Sequence, residues 1–528
     1  MGLTSPKSGT AFSAMSEPSF QRSNSWPLIA FFSIAVLVVL VVVMRSPTSN
    51  SINADGAREL RVYCAAGVRL AVEEAARQFE KELGVRVVLE YANSGVLANR
   101  LKTDREGGLS TADVYIPADF SFTERAQADG LTAEALRVAT WKVVLGVKPG
   151  LDLGISNCDE VLDKNISFVL CDPLAGVGRK TKKMLVNSGH WEAIDAAKAS
   201  SFPTVTEAAL AVKENVGTQA AFVWDSTARQ HGLQVLELPE LKASKADISA
   251  AVASASEQPA LALQFLRYLA APQKGGQVFA RHKYTPFPGD PWSLRPRLRV
   301  DCGGVNREAV QKTIAEFEQR EGCDVDVVYA GCGTLVGKMQ TGDQGLPDLF
   351  VTCDASYLDK AQDSMGSPFG PDLKVSSTRI VMLVAKGNPL GILRLEDLAK
   401  VGLRLGTTDP QASTLGALSH ELIRETGKFA QVESNITMMA DTAHTLIQSM
   451  EAGEKLDVVM VYEANIQHLK DRFDYVPLKQ PRAIAVQNVA ASKISEYPQL
   501  AQRFMNRLVS EISRHRFEQL GFQWVAEK

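Results

Sequence analysis

Ser94, in Asn93-Ser94-Gly95, and Thr206 carry hydroxyls and stand where a strand-like run gives way to a helical one. A helix start offers free backbone N–H groups and the positive end of the helix dipole. Such residues can therefore hold an anion as well as cap a helix. Junctions of the same kind follow the strand 60–63 (Cys64 to Gly67), the strand 113–116 (Ala118, in Pro117-Ala118-Asp119) and the strand 220–223 (Trp224). In open α/β sheets, ligands sit off the carboxyl ends of strands, and these five places all fall there. Taken singly, each hydroxyl reads as a plain N-cap. Their convergence points to a small anion held by uncharged donors.

Other chemistries find no support. Gly176-Val177-Gly178-Arg179-Lys180-Thr181 lacks the upstream Gly and the Gly-Lys adjacency of a phosphate-binding loop. Seven histidines are scattered without metal-ligand spacing, and no Gly-x-Ser-x-Gly elbow or paired carboxylate is present. We therefore expect a non-enzyme that needs no cofactor. A net charge of −3 gives no basic footprint, so nucleic acid is not an expected partner. The basic cluster Arg179, Lys180, Lys182 and Lys183 reads as a solvated surface.

The chain says nearly the same thing twice. Leu60-Arg61-Val62, Cys64, Tyr91-Ala92 and Gly95 recur as Leu298-Arg299-Val300, Cys302, Tyr329-Ala330 and Gly333, at a constant offset of 238. Asp113 and Asp119 answer to Asp348 and Asp354 (235), Asp172-Pro173 to Asp409-Pro410 (237), and Val223-Trp224 to Val461-Tyr462 (238). A period of this length is a duplicated domain, since solenoid units run to a few tens of residues. By the same offsets Cys332 stands for Ser94, Cys353 for Ala118 and Tyr462 for Trp224. Cys302, Cys332 and Cys353 then all lie at strand ends. Three convergent thiols would suit a soft ion such as Cu(I) or zinc, although buried cysteines are also common core residues.

The elements that must position these residues alternate strand and helix, which predicts an α/β fold of doubly wound sheets with parallel strands. Segment 1–27 is rich in Ser, Thr and Pro. Segment 28–44 is an apolar run broken only by Ser33, long enough for a short spanning helix and read as an uncleaved signal anchor. Segment 45–57 reads as a tether, 58–284 as the first module, 285–297 as a Pro-rich linker and 298–528 as the second module. The expected location is the extracytoplasmic face of a membrane. Seven cysteines, an odd number, leave at least one unpaired within the chain there.

The stretch Leu60 to Asp119 resembles the molybdate-binding proteins, which are type II periplasmic solute-binding proteins of ABC importers. Asp172-Pro173, Gly189-His190-Trp191 and Val223-Trp224-Asp225-Ser226 continue the likeness, and the second copy repeats it. The resemblance implies two tandem clamshells, each with two lobes closing on a tetrahedral oxyanion such as molybdate or tungstate. It also implies an ABC permease as partner. In the first copy, the family's ligand positions fall on Gly67, Ser94, Ala118, Thr206 and Trp224. In the second they fall on Val305 (or Asn306), Cys332, Cys353, Thr442 (or Ala443) and Tyr462. Gly67 has no hydroxyl to give and Trp224 only an indole N–H. The first module is nonetheless the expected oxyanion site. The alternatives are degenerate modules serving as sensor or scaffold, and a Cys-lined metal site in the second module.

Overall fold

The computed structural model describes residues 58–342, 345–453 and 455–526. The apolar run 28–44 lies outside the described residues. Among the described residues no helix is long and apolar enough to cross a membrane.

Each module opens the same way. The strand Arg58–Ala65 leads through one 3-10 turn into the helix Arg69–Leu83, whose Ala71, Val72, Ala75, Ala76 and Phe79 form one buried face. That spacing is the stripe a 3.6-residue period puts toward a sheet. The helix stops at Gly84, whose φ of 64° is the left-handed conformation glycine adopts at little cost. In the second module, the strand Arg297–Gly303 and the helix Arg307–Glu321 repeat the course, ending on Gly322 at φ 63°.

The lobes are not built from parallel strands alone. In the first lobe, Arg58–Ala65 pairs in parallel with Val85–Ala92 and Val114–Ile116, but Ala246–Ala253 runs antiparallel to both Val114–Ile116 and Thr132–Trp141. In the second lobe, Val143–Val147 is antiparallel to Ala220–Trp224. The expectation of purely parallel sheets fails because the chain passes between lobes as an extended strand. A strand that enters from the far lobe meets the sheet from its opposite end, whereas a helical crossover would keep the direction.

The crossing differs between the copies. In the second module one strand, Phe369–Ala385, serves both lobes without a break. In the first it is split into Thr132–Trp141 and Val143–Val147. Trp141 opposite Ala246 matches Arg379 opposite Ile484, an offset of 238 on both strands. Past the break, Val143 opposite Trp224 matches Ile380 opposite Tyr462, so the offset on the crossing strand has fallen to 237. Lys142 is the extra residue. An inserted residue interrupts the ladder and re-aims the side chains beside it.

The cores differ accordingly. In the first module one apolar core runs unbroken from lobe to lobe and includes Val68, Trp141, Val205 and Trp224. In the second module the buried apolar residues separate into distinct cores, with Val305 partly buried between three of them. The segment 285–297 is tied down along its length. Thr285–Pro286 pairs with Thr140 and Ala139, and Trp292 packs edge-on against Tyr268. Asp290 accepts the N–H groups of Gln499 and Leu500 at the start of the helix Pro498–Leu508. Across the modules, Arg320 grips Glu134 with two hydrogen bonds, 2.9 and 2.7 Å long.

Candidate functional site

In the first module Gly67, Ser94, Ala118 and Trp224 do come together, lining one cavity with Val205 and Gly176. Thr206 is not among its walls; it is the second residue of the helix Val205–Glu214. The cap there is Thr204, in a reciprocal capping box with Glu207. The space open to a water-sized solute is about 20 Å³. That admits little more than one water, and a tetrahedral anion has five heavy atoms.

The filling is visible atom by atom. Trp141 and Trp224 stack with ring centroids 4.4 Å apart and planes 11° from parallel. A Cβ on Gly67 would lie 2.9 Å from Val205 Cγ1 and 3.1 Å from Trp141, so the space a serine side chain would need is taken. The polar groups are also spent on one another. Ser94 Oγ accepts the Ala118 N–H at 3.0 Å, and Trp141 Nε1 donates to the Ala118 carbonyl at 2.9 Å. Sequence reading missed Trp141, because it ends a strand that crosses between the lobes and not one that opens on a helix start.

The first module is also latched from outside the cleft. Lys180 on the far lobe pairs with Asp119 at 3.1 Å, and Arg179 lies over the Phe122 ring at 4.8 Å. Leu174 O accepts the Gly95 N–H across the same gap at 3.2 Å. Two members of the basic cluster thus bridge the lobes, which corrects the expectation of a merely solvated surface. Lys182 and Lys183 remain exposed.

The second module keeps its cleft. A cavity of about 220 Å³ is lined by Val305, Cys353, Thr442, Ala443 and Tyr462, with Arg307 at one wall and Phe522 at another. Four helix starts face it: Arg307 and Glu308 of the helix Arg307–Glu321, Gly331 capping Cys332–Thr341, Ser413 capping Thr414–Glu425 and Thr442 capping Ala443–Glu451. Each such start presents backbone N–H groups that no helix carbonyl satisfies, and the positive dipole end. Thr442 is partly committed, since its hydroxyl accepts the Thr445 N–H at 3.3 Å. Ser413 makes no such bond.

Tyr462 OH is the polar group the protein leaves over. The residue is 2% exposed, yet its hydroxyl has no hydrogen-bond partner, and burial holds its pKa well above the usual phenol range. Asn465 Oδ1, on the same cavity, is likewise buried and unpaired. An unmet buried polar group is costly, so these two lining residues hold hydrogen-bonding capacity that the fold does not use.

The three cysteines do not converge. Cys332 and Cys353 share one small core, but Cys302 belongs to another, with Leu298 and Val300. Successive residues of a strand face opposite ways, and Gly303, next to Cys302, is the residue that abuts the other two sulfurs. Asn306, the alternative to Val305, is buried and donates to Thr352 O at 3.0 Å. Among the described residues no group of three His, Cys, Asp or Glu side chains is placed to hold a metal ion.

A family model described as bacterial extracellular solute-binding protein matches residues 60–284 and again residues 298–523. The chain belongs to that family. It carries the family's unit twice. A putative binding protein of Haemophilus influenzae is 27% identical over 231 residues, 43% of this chain and 90% of its own length. The molybdate-binding protein ModA of Escherichia coli is 25% identical over 239 residues, 43% of this chain and 89% of its own. Among solved structures, the periplasmic molybdate-binding protein of Azotobacter vinelandii aligns at 20% identity with a TM-score of 0.37, covering 43% of this chain and 98% of its own. Molybdate-binding proteins are thus among the relatives of this solute-binding chain.

Proposed function

We propose that this is an extracytoplasmic solute-binding protein, held to a membrane by its apolar segment 28–44, that takes up a small oxyanion and delivers it to an ABC importer. The second module carries the solute. The observation behind this reading is a 220 Å³ cavity ringed by helix starts and lined by Tyr462, whose buried hydroxyl has no partner. The anion, molybdate-like or tungstate-like, is held there by the N–H groups around Val305 and Ala443 and by the hydroxyls of Tyr462 and Ser413. Arg307 at the wall adds a single cation. Some of the cavity's width stays filled with water, because a bare tetrahedral ion does not occupy all of it.

The first module serves as a scaffold. Its filled cleft and its Lys180–Asp119 latch favour a protein-contact role over a second solute site.

Calorimetric titration of molybdate, tungstate and sulfate into the full-length chain tests both parts. One saturable site per chain is expected, with affinity lowered about tenfold or more in Tyr462→Phe, the loss of roughly one good hydrogen bond. No heat from any of the three anions rejects the oxyanion reading, and two equivalent sites reject the scaffold.

A further inference from the structure

Cys332 and Cys353 stand where the first module has Ser94 and Ala118, and they repeat its hydrogen bond. The Cys353 N–H donates to Cys332 Sγ at 3.0 Å, as the Ala118 N–H donates to Ser94 Oγ at 3.0 Å. The backbone path is kept while two small groups become two thiols. Both sulfurs press on one point of the chain: a Cβ on Gly303 would lie 3.0 Å from Cys332 Sγ and closer still to Cys353 Sγ. Cys353 lines the cavity, and Cys332 lies fully buried behind it as the first residue of a ten-residue helix. We propose that Cys332 and Cys353 form an oxidisable dithiol, and that its closure to a disulfide redraws the floor of the second module's cleft.

The surroundings divide the labour between the sulfurs. The Cys332 thiol donates to Cys353, and against the opposing effect of burial this holds Cys353 below the usual thiol range. The Val305 N–H and the Thr414 hydroxyl add to the effect. Thr414 Oγ1 approaches both sulfurs without completing a hydrogen bond to either. Burial and the neighbouring sulfur push Cys332 well upward, so Cys353 is the more readily ionised of the two. The other five thiols, Cys64, Cys158, Cys171, Cys302 and Cys323, are all pushed upward by burial, and none lines the cavity. Reactivity follows the thiolate and its access, so Cys353 is the sulfur exposed to a small oxidant.

With hydrogen peroxide as oxidant the step balances. The Cys353 thiolate attacks one peroxide oxygen, the O–O bond breaks, and a sulfenic acid forms as hydroxide departs and is protonated to water. Cys332 then gives up its proton and attacks the Cys353 sulfur. The S–S bond forms, the S–O bond breaks, and a second water leaves. Two electrons pass from the sulfur pair to the peroxide.

The test uses the reduced full-length chain treated with one equivalent of hydrogen peroxide. Thiols titrated after unfolding should fall from seven to five, with a peptide linking positions 332 and 353 and full recovery in dithiothreitol. Exchange of the Val305 amide, which faces Cys353 Sγ, should change at least tenfold on oxidation. Cys332→Ser and Cys353→Ala install the first module's residues and are expected to fold. The first should leave a Cys353 sulfenic acid trappable by dimedone, and the second should leave the other six thiols intact. Seven thiols surviving peroxide in the wild type, a link between any other pair, or a disulfide that leaves Val305 exchange unchanged would each overturn the proposal.

Discussion

Trp141 lies flat on Trp224 in the first module, ring centroids 4.4 Å apart, and the same Trp141 donates its indole N–H to the Ala118 carbonyl. Gly67 is bound to the same arrangement, since its missing Cβ is what lets Trp141 and Val205 approach.

Gly67→Ser should therefore cost about 1–3 kcal/mol by overpacking, and Trp141→Ala about 3–5 kcal/mol by loss of a buried ring. The double variant should lose less than the sum, because the shared clash is removed. Urea denaturation of the four proteins measures the coupling. Strict additivity would mean the two residues do not compete for one space.

Lys180→Met should loosen the first module, costing roughly 1–3 kcal/mol as Asp119 loses a partner at a site where the pair is largely shielded from water. For a unit of this size that is a drop of about 2–4 °C in Tm per kcal/mol. Lys183→Met, on the exposed face of the same helix, serves as control and should stay within about 0.5 kcal/mol. Equal effects of the two would remove the latch from the account.

Tyr462→Phe separates binding from stability. Its hydroxyl has no partner in the unliganded fold, so deleting it should leave thermal stability unchanged or raise it by about 1 kcal/mol, while solute affinity falls. A large loss of stability would show that the hydroxyl is satisfied within the protein.

Acid should weaken the junction between modules. Burial raises the Glu134 pKa, but the hydrogen bonds and charge of Arg320 outweigh it, and the net shift is downward. A carboxylate depressed by folding stabilises above its unfolded pKa, and that contribution is lost as pH falls through the folded value. Glu134→Gln should therefore be less stable than wild type at neutral pH. The gap should close below about pH 4, the range of an unfolded glutamate, and Tm measured against pH in both proteins reads it directly.

The duplication, the strand ends and the helix starts were legible because they depend on local pattern. Asn93-Ser94-Gly95, Asp172-Pro173 and the apolar stripe ending at Gly84 each announce their element within a few residues. What filled the first cleft was not legible, since Trp141 reaches it from the break in the crossing strand and only three dimensions bring it onto Trp224. A trace did exist: the offset steps from 238 to 237 around Lys142, though nothing in a sequence says that one inserted residue turns a neighbouring ring inward. Arg307, Ser413, Asn465 and Phe522 escaped for a similar reason, because the second cleft is walled by side chains from distant parts of the chain. The Lys180–Asp119 pair joins residues on separate lobes, and a run of basic residues gives no hint of which one will cross.

Asp290 grips the helix Pro498–Leu508 while Glu134 holds Arg320, so the first module, the connecting segment and the second module are fastened in series. A partner that grasps the closed half would also set the direction in which the hollow half faces. The mouth of the second cleft would then be steered from a surface on the first module.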